Sequence, residues 1–345
     1  MLTAKQNLIE TIRGGKPDRF VNQYEALHLM PVPHMMHMHG RREGNLAINA
    51  WGVASMATEG TPGFMPVHTP ERIVVKDIEN WREYVRAPKV HISQEEWDGF
   101  RARFETIDRT KAFAALMVAP GLFEQTHNLC SMVEALVNYI DNPQEMHDLI
   151  RYLTDWELEI AEEICTQLHP EAIFHHDDWG TEDRTFLRPE MFAEFFVEPY
   201  KQIYSYYHDH GVQLIVHHCD SYAASLVPYM IEMGIDIWQG CMHSNDLPEL
   251  ISKYGGKISF MGEIDNKQVD FTGWSEQDCR TAAQQAMQRC GRAHFIPCIT
   301  QGLPGSVYPG AYAALAKQID SLNSETFGYS MQELEAQRMP LQIFG

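Results

Sequence analysis

Two segments far apart in the chain carry the side chains best suited to chemistry: Val216-His217-His218-Cys219-Asp220 and Ile296-Pro297-Cys298, each at the end of a short apolar run. Brought to one rim of a barrel, they would supply His217, Cys219 and Cys298, an imidazole and two thiolates, with a fourth position open. Zinc suits that set because it takes nitrogen and thiolate sulfur in a tetrahedron without redox change. Three protein ligands and a vacancy make a catalytic site, in which the ion polarises or activates whatever fills the vacancy. A His and a Cys two apart on a strand share a face, and His218 between them points the other way. A plainer reading stands beside this one: free cysteines often fill apolar cores, and no Cys-x-x-Cys pair marks a closed structural site.

The elements that must position these groups are legible from Phe113 onward. Phe113-Ala-Ala-Leu-Met-Val-Ala119 is a continuous apolar run of the kind expected of a strand buried on both faces. Further strands are expected at 172–175, 212–216, 235–238, 257–261 and 293–297. Helices are expected at 122–140, 144–168, 189–210, 222–233, 246–254, 275–290 and 309–321. Short strands alternating with single helices predict right-handed parallel βα units. With one or two more strands before residue 110, the expected fold is an α/β TIM (β/α)8 barrel with an N-terminal helical and loop extension. An open doubly wound sheet is the alternative, and no glycine-rich phosphate loop decides between them.

In a parallel barrel the active site lies at the C-terminal strand ends. Those ends carry His175-His-Asp-Asp178, His217-His-Cys-Asp220, Gln239 with Cys241-Met-His243, Gly262-Glu-Ile-Asp265 and Cys298-Ile-Thr-Gln301. Repeated polar endings to apolar runs are costly as packing, because a buried carboxylate needs a partner or a cation. Asp178 and Glu263 are expected to line a pocket, and Asp220 and Asp265 to cap helices or sit solvated. Glu263, Asp178 and His243 are candidates for a fourth metal ligand, with water as the other choice.

Before this region, residues 3–13 read as a helix stopped by Gly14-Gly15-Lys16-Pro17-Asp18. The stretch from Phe20 to about Phe100 is less regular, with Pro31-Val-Pro-His-Met-Met-His-Met-His39 and Pro62-Gly-Phe-Met-Pro-Val-His68, and is expected to form loops that cover a site or a structural extension.

The chain has 27 Lys and Arg against 47 Asp and Glu, a formal charge of −20, which repels nucleic acid and anionic membranes alike. No run of apolar residues is long enough to span a bilayer and no signal-peptide core opens the chain, so a cytoplasmic location is expected. Seven cysteines without a framework pattern suit a reducing compartment.

Taken together, Gly15-Lys-Pro-Asp-Arg19 after the opening helix, Trp51-Gly52, Asp177-Asp178-Trp-Gly-Thr181, Arg188-Pro-Glu-Met-Phe192, Pro199-Tyr200, His217-x-Cys219, Gly234-Ile-Asp236 and the distant Cys298 resemble the uroporphyrinogen decarboxylase superfamily, in particular its zinc-dependent, corrinoid-linked methyltransferase branch. The resemblance implies a single barrel domain over 1–345, with the extension and active-site loops in 1–110. It also implies zinc on His217, Cys219 and Cys298, and a methyl group moved between a small substrate and the cobalt of a corrinoid. The favoured substrate is a methoxylated aromatic compound, with zinc acting on the ether oxygen and Asp178, His176 and Glu263 as candidates to neutralise the leaving oxygen. Loops 31–68, Trp179 and Trp238 are expected to give that substrate an apolar surround. Methyl transfer from methylcobalt to a thiol is the alternative, then porphyrinogen decarboxylation, and last a non-enzymatic metal or corrinoid-binding module. Two departures are evident: Asp220 stands where the branch usually has Gly, and His34-Met-Met-His-Met-His-Gly40 before Arg41-Arg42 replaces the arginine-rich segment of a decarboxylase. With 23 residues after Leu322, the corrinoid is expected on a separate protein that docks over the barrel mouth.

Overall fold

The computed structural model describes residues 1–57, 64–303 and 307–338; Pro62 and Gly63 of the expected covering loop lie outside them. In chain order the strands are β1 (Leu27–Pro31), β2 (His39–Glu43), β3 (Leu46–Asn49), β4 (Ala54–Ala57), β5 (Phe64–Pro66), β6 (Phe113–Val118), β7 (Ala172–His176), β8 (Leu214–His218), β9 (Ile237–Cys241), β10 (Ser259–Ile264) and β11 (Phe295–Ile299). Seven of them form one sheet in the order β1-β6-β7-β8-β9-β10-β11, every pair parallel. Helices intervene between all the strands from β6 onward, three of them between β6 and β7, so this is an α/β TIM-like barrel. The strands β2 to β5 form a separate antiparallel sheet within the N-terminal extension.

An eighth strand was expected, and seven are found among the described residues. At the seam Gln23 does the joining: its N–H donates to Pro297 O (3.3 Å), and its side-chain oxygen accepts the Ile299 N–H (3.5 Å). Gln23 has φ 50°, a left-handed conformation that cannot continue a strand ladder.

The later strands also begin about two residues beyond the expected positions. The strand expected at 212–216 is Leu214–His218, and the one at 293–297 is Phe295–Ile299. The polar residues therefore lie within the ladders, alternating between the barrel interior and the helix layer, instead of following the strands. The single helix expected at 122–140 is two, Leu122–Cys130 and Met132–Asp141, separated at Ser131, whose φ of 74° breaks the ladder of bonds. Among the described residues no helix is long and apolar enough to cross a membrane.

The turn before β1 is stapled to the last long helix, Ala311–Phe327. Asn323 exchanges bonds with the backbone of Phe20, Asn22 donates to Asp320 (2.7 Å), and buried Arg19 faces buried Glu25 at 3.4 Å. Burial raises the Glu25 pKa to about 7, against the lowering effect of Arg19 and with help from Asp320. A carboxyl raised on folding from 4.5 contributes stability that is fully present below about pH 4.5 and lost as pH rises through about 7. At 1.36 kcal/mol per pKa unit the loss is on the order of 3 kcal/mol. Urea unfolding at pH 5 and pH 8 is expected to show this decline in the parent and a flatter one in Glu25→Gln.

Candidate metal centre

Strand alternation decides which groups meet. Contacts that cross the barrel mark its interior: the Tyr24 ring meets Phe174 at 5.9 Å, Phe174 meets His218 at 5.9 Å, and Gln239 Nε2 approaches Cys298 Sγ at 4.0 Å. Phe174 and His176 on β7, His218 on β8, Gln239 on β9 and Cys298 on β11 thus face inward. Their neighbours His175 and His217 face the helices. His175 Nε2 pairs with Glu157 of the helix Pro143–Leu168 at 3.1 Å, and His217 Nδ1 with the Tyr204 hydroxyl of the helix Glu198–Asp209 at 2.8 Å.

At the C-terminal ends of β7 and β8, His176, Asp178 and His218 bring one ligand atom each to within 4.8 Å of one another, the only such group of three among the described residues. His176 Nε2 lies 4.0 Å from Asp178 Oδ2, and His218 Nε2 lies 3.9 Å from Asp178 Oδ1. The two imidazoles stack at 4.5 Å between centroids. Each is held through its other nitrogen. His176 Nδ1 meets Glu124 Oε2 at 2.9 Å, and His218 Nδ1 meets Gln239 Oε1, whose amide nitrogen donates to Ile299 O and Thr300 O at 3.3 Å each. With Nδ1 donating in both rings, the two Nε2 atoms face one carboxylate at distances too long for hydrogen bonds. Groups that share a cation are arranged in this way.

The electrostatics agree with the geometry. Burial opposes a proton on His176, but Glu124, Asp178 and then Asp220 outweigh it and raise the pKa to about 10, so the pocket's field favours positive charge. Burial, aided by His176, pushes His218 down to about 4. Asp220 is raised to about 8 by burial and then by Asp178, which also accepts the Asp220 N–H at 2.9 Å. Two imidazoles and a carboxylate with room for a further ligand are a donor set that zinc accepts in catalytic sites, so the residues present fit a zinc ion.

The set expected from the sequence is not assembled. His217 and Cys219 do share a face, but it is the face toward the helices. Both ring nitrogens of His217 are occupied, by Tyr204 and by Asp177 O at 3.2 Å, and its ring stacks on Trp179 at 4.0 Å. Burial holds its pKa well below the usual imidazole value. Cys219 Sγ sits against the Ser221 hydroxyl (2.9 Å) and accepts the Trp179 N–H (3.3 Å). Cys298 faces the interior, apart from both. Glu263 is also turned away: its carboxylate takes His243 Nδ1 at 2.7 Å and Arg289 Nε at 3.2 Å, and its φ of 69° is a strained backbone for a non-glycine residue. Trp179 and Trp238, expected at the mouth, are 2% and 0% exposed and pack behind the strands.

Sequence reading missed Glu124 and Gly121, and it included Asp177 and Tyr200 only within the family-like segments, without a role for either. Asp177 points away from the triad and accepts the Phe123 and Glu124 N–H groups (3.0 and 2.7 Å), Trp179 Nε1 (2.8 Å) and the Tyr200 hydroxyl. An acidic residue in the first turn after Pro120-Gly121 was the one local signal for Glu124. The outer polar layer makes a separate prediction: Tyr204→Phe leaves His217 Nδ1 unpaired and is expected to cost about 1–3 kcal/mol, read by thermal or urea unfolding, with metal content unchanged.

Beside the triad, at the ends of β7 to β11, a polar cleft of about 330 Å³ is lined by Thr181, Asp220, Asn266, Lys267, Thr300 and Gln301 among others. Asp220 belongs to both cleft and triad surroundings.

Residues 113–322 match the family described as uroporphyrinogen decarboxylase (URO-D). No curated protein matches the chain. Among solved structures, a methyltransferase from Methanosarcina mazei is similar in fold, with a TM-score of 0.65 at 13% identity over 93% of this chain and 99% of that one.

Proposed function

The chain belongs to the uroporphyrinogen decarboxylase family, and from that premise we propose that it is a zinc-dependent methyltransferase moving a methyl group between a small substrate and the cobalt of a corrinoid carried by a separate protein. The observation that carries this reading is the convergence of His176, Asp178 and His218 at the C-terminal ends of β7 and β8. The fold similarity to a methyltransferase agrees with it. In this reading the three side chains hold zinc, and His217, Cys219 and Cys298 do not.

Bound there, zinc would act as a Lewis acid toward a substrate oxygen, easing departure of that oxygen as the methyl group leaves for cobalt. The protein's own share is orientation and charge. Glu124 and Gln239 fix the two imidazoles through their Nδ1 atoms, aiming each Nε2 at Asp178. The cleft admits the substrate beside Asp220, and its volume is at the low end for ligand pockets, which suits a small molecule.

A small methoxylated compound is the favoured donor, with methoxyarenes the first class to test. With Trp179 and Trp238 packed behind the barrel, an aromatic donor would be held by the polar cleft, so a ring bearing hydroxyl or amide groups fits better than a bare one. Porphyrinogen decarboxylation is disfavoured on charge, since a polycarboxylate substrate would meet Glu124, Asp178 and Asp220 at close range.

The test supplies zinc-loaded protein with a cobalt(I) corrinoid and a panel of methoxyarenes, and separately with methylcobalt(III) and thiols, following the corrinoid spectrum. Methylation of cobalt by a methoxyarene, lost in folded His218→Ala, is the expected result. Turnover only with thiols would overturn the choice of donor, and porphyrinogen decarboxylation by metal-free protein would overturn the reading itself.

A further inference from the structure

The junction between β6 and the helix Leu122–Cys130 is built with unusual closeness to the triad. Gly121 N donates to His176 O at 2.7 Å, so the turn is tied to the end of β7. No side chain of the helix's own N-terminal residue caps it, since that residue is Gly121. Asp177, the residue after β7, caps it instead, accepting from Phe123 N and Glu124 N, while the Tyr200 hydroxyl accepts from Leu122 N at 2.8 Å. A Cβ on Gly121 would lie 2.5 Å from Asp177 Cβ and 2.6 Å from the Tyr200 oxygen, so the approach requires glycine. The residue whose N–H is capped most closely, Glu124, is the one whose carboxylate meets His176 Nδ1.

Resting on the metal reading above, we infer that Glu124 is a positioning residue for the metal centre, held in place by Asp177 and fixing His176 with its Nδ1 proton toward the Glu124 carboxylate and its Nε2 atom aimed at Asp178, where a metal would take the place of the Nε2 proton. Consecutive residues at the end of β7 and just past it divide the work. His176 faces inward as ligand, and Asp177 faces outward and sets the helix that carries the ligand's orienting carboxylate. A metal-bound imidazole that donates its other N–H to a carboxylate gains basicity and a fixed ring plane, and loss of that partner typically weakens metal binding. The chain supplies its own control. His175, one residue earlier, forms a more deeply buried imidazole–carboxylate pair with Glu157 on the side away from the triad.

The experiment measures zinc affinity by competition with a chelating dye for the parent, Glu124→Gln, Glu157→Gln and His176→Ala, each checked for folding. Glu124→Gln is expected to bind zinc roughly 10–100-fold more weakly, with Glu157→Gln unchanged. Unchanged affinity in folded Glu124→Gln, or equal losses in the Glu124 and Glu157 variants, would overturn the inference. Nitrogen NMR of the histidine rings in zinc-free protein reads the same claim without metal: the parent should hold His176 with Nδ1 protonated, and Glu124→Gln should lose the His176–Glu124 signature. If the parent binds no zinc and His176→Ala changes nothing, the metal reading fails, while the ring signature still reports whether Glu124 fixes His176. Should Glu124→Gln not fold, Glu124→Asp, which keeps the charge but shortens the reach, is expected to weaken zinc binding in the same direction, and unchanged affinity there would overturn the inference.

Discussion

Folded His218→Ala and Asp178→Ala proteins should lose stoichiometric zinc, whereas His217→Ala, Cys219→Ser and Cys298→Ala should keep it. Removing one of three ligands is expected to weaken binding by more than about 100-fold, because the loss of an orienting partner alone costs 10–100-fold. The His217 change has another expected consequence, since it deprives the buried Tyr204 hydroxyl of its partner and should lower stability by about 1–3 kcal/mol. Metal analysis after dialysis against a weak chelator, paired with urea unfolding, separates the two effects. Zinc lost from the His217 and Cys219 variants but kept by the His218 variant would reverse the assignment.

Gly121→Ala should have the next largest effect, and on two readouts at once. The new methyl group has nowhere to go without moving Asp177 or the Tyr200 hydroxyl. Overpacking of this kind typically costs 1–3 kcal/mol, and loss of the helix cap about 1 kcal/mol more. Because Asp177 also sets the helix carrying Glu124, zinc affinity should fall with stability. Gly99→Ala, in the helix Gln94–Phe104 with open space around its Cβ, is the control, and it should be neutral or slightly stabilising. A Gly121→Ala protein as stable as the parent and with parent-like zinc affinity would show that the junction tolerates what its packing forbids.

Much of the fold was legible because it rests on local pattern. The apolar runs, the Pro and Gly stops and the alternation of strand with helix identify the βα units from β6 onward. They do not reveal the seam at Gln23, which depends on contacts between chain ends. For the site, the sequence pointed to the strand ends where the proposed triad stands, but it chose His217 and Cys219, whose side chains face the helices. A strand start displaced by two residues preserves parity, so His217 and Cys219 were correctly expected to share a side. Which side is inward is set by the whole sheet against its helices, and two adjacent histidines offer no local clue. His217 is satisfied by Tyr204 and Trp179 from other elements, and nothing in the motif itself tells of them. Glu263 failed for a related reason: Arg289, from a helix well downstream, neutralises the carboxylate that the sequence left free for a pocket. His176 and Asp178 were read as candidates to neutralise a leaving oxygen, and Asp178 also as a candidate fourth metal ligand. Their juxtaposition with His218 depends on the register of β7 against β8, which pairs His176 directly with His218.

The most direct measurement is X-ray absorption at the zinc edge on protein loaded with a stoichiometric amount of zinc. Ligation by His176, His218 and Asp178 predicts a first shell of nitrogen and oxygen alone at about 2.0–2.2 Å, whereas sulfur at about 2.3 Å would put cysteine on the metal and contradict the account.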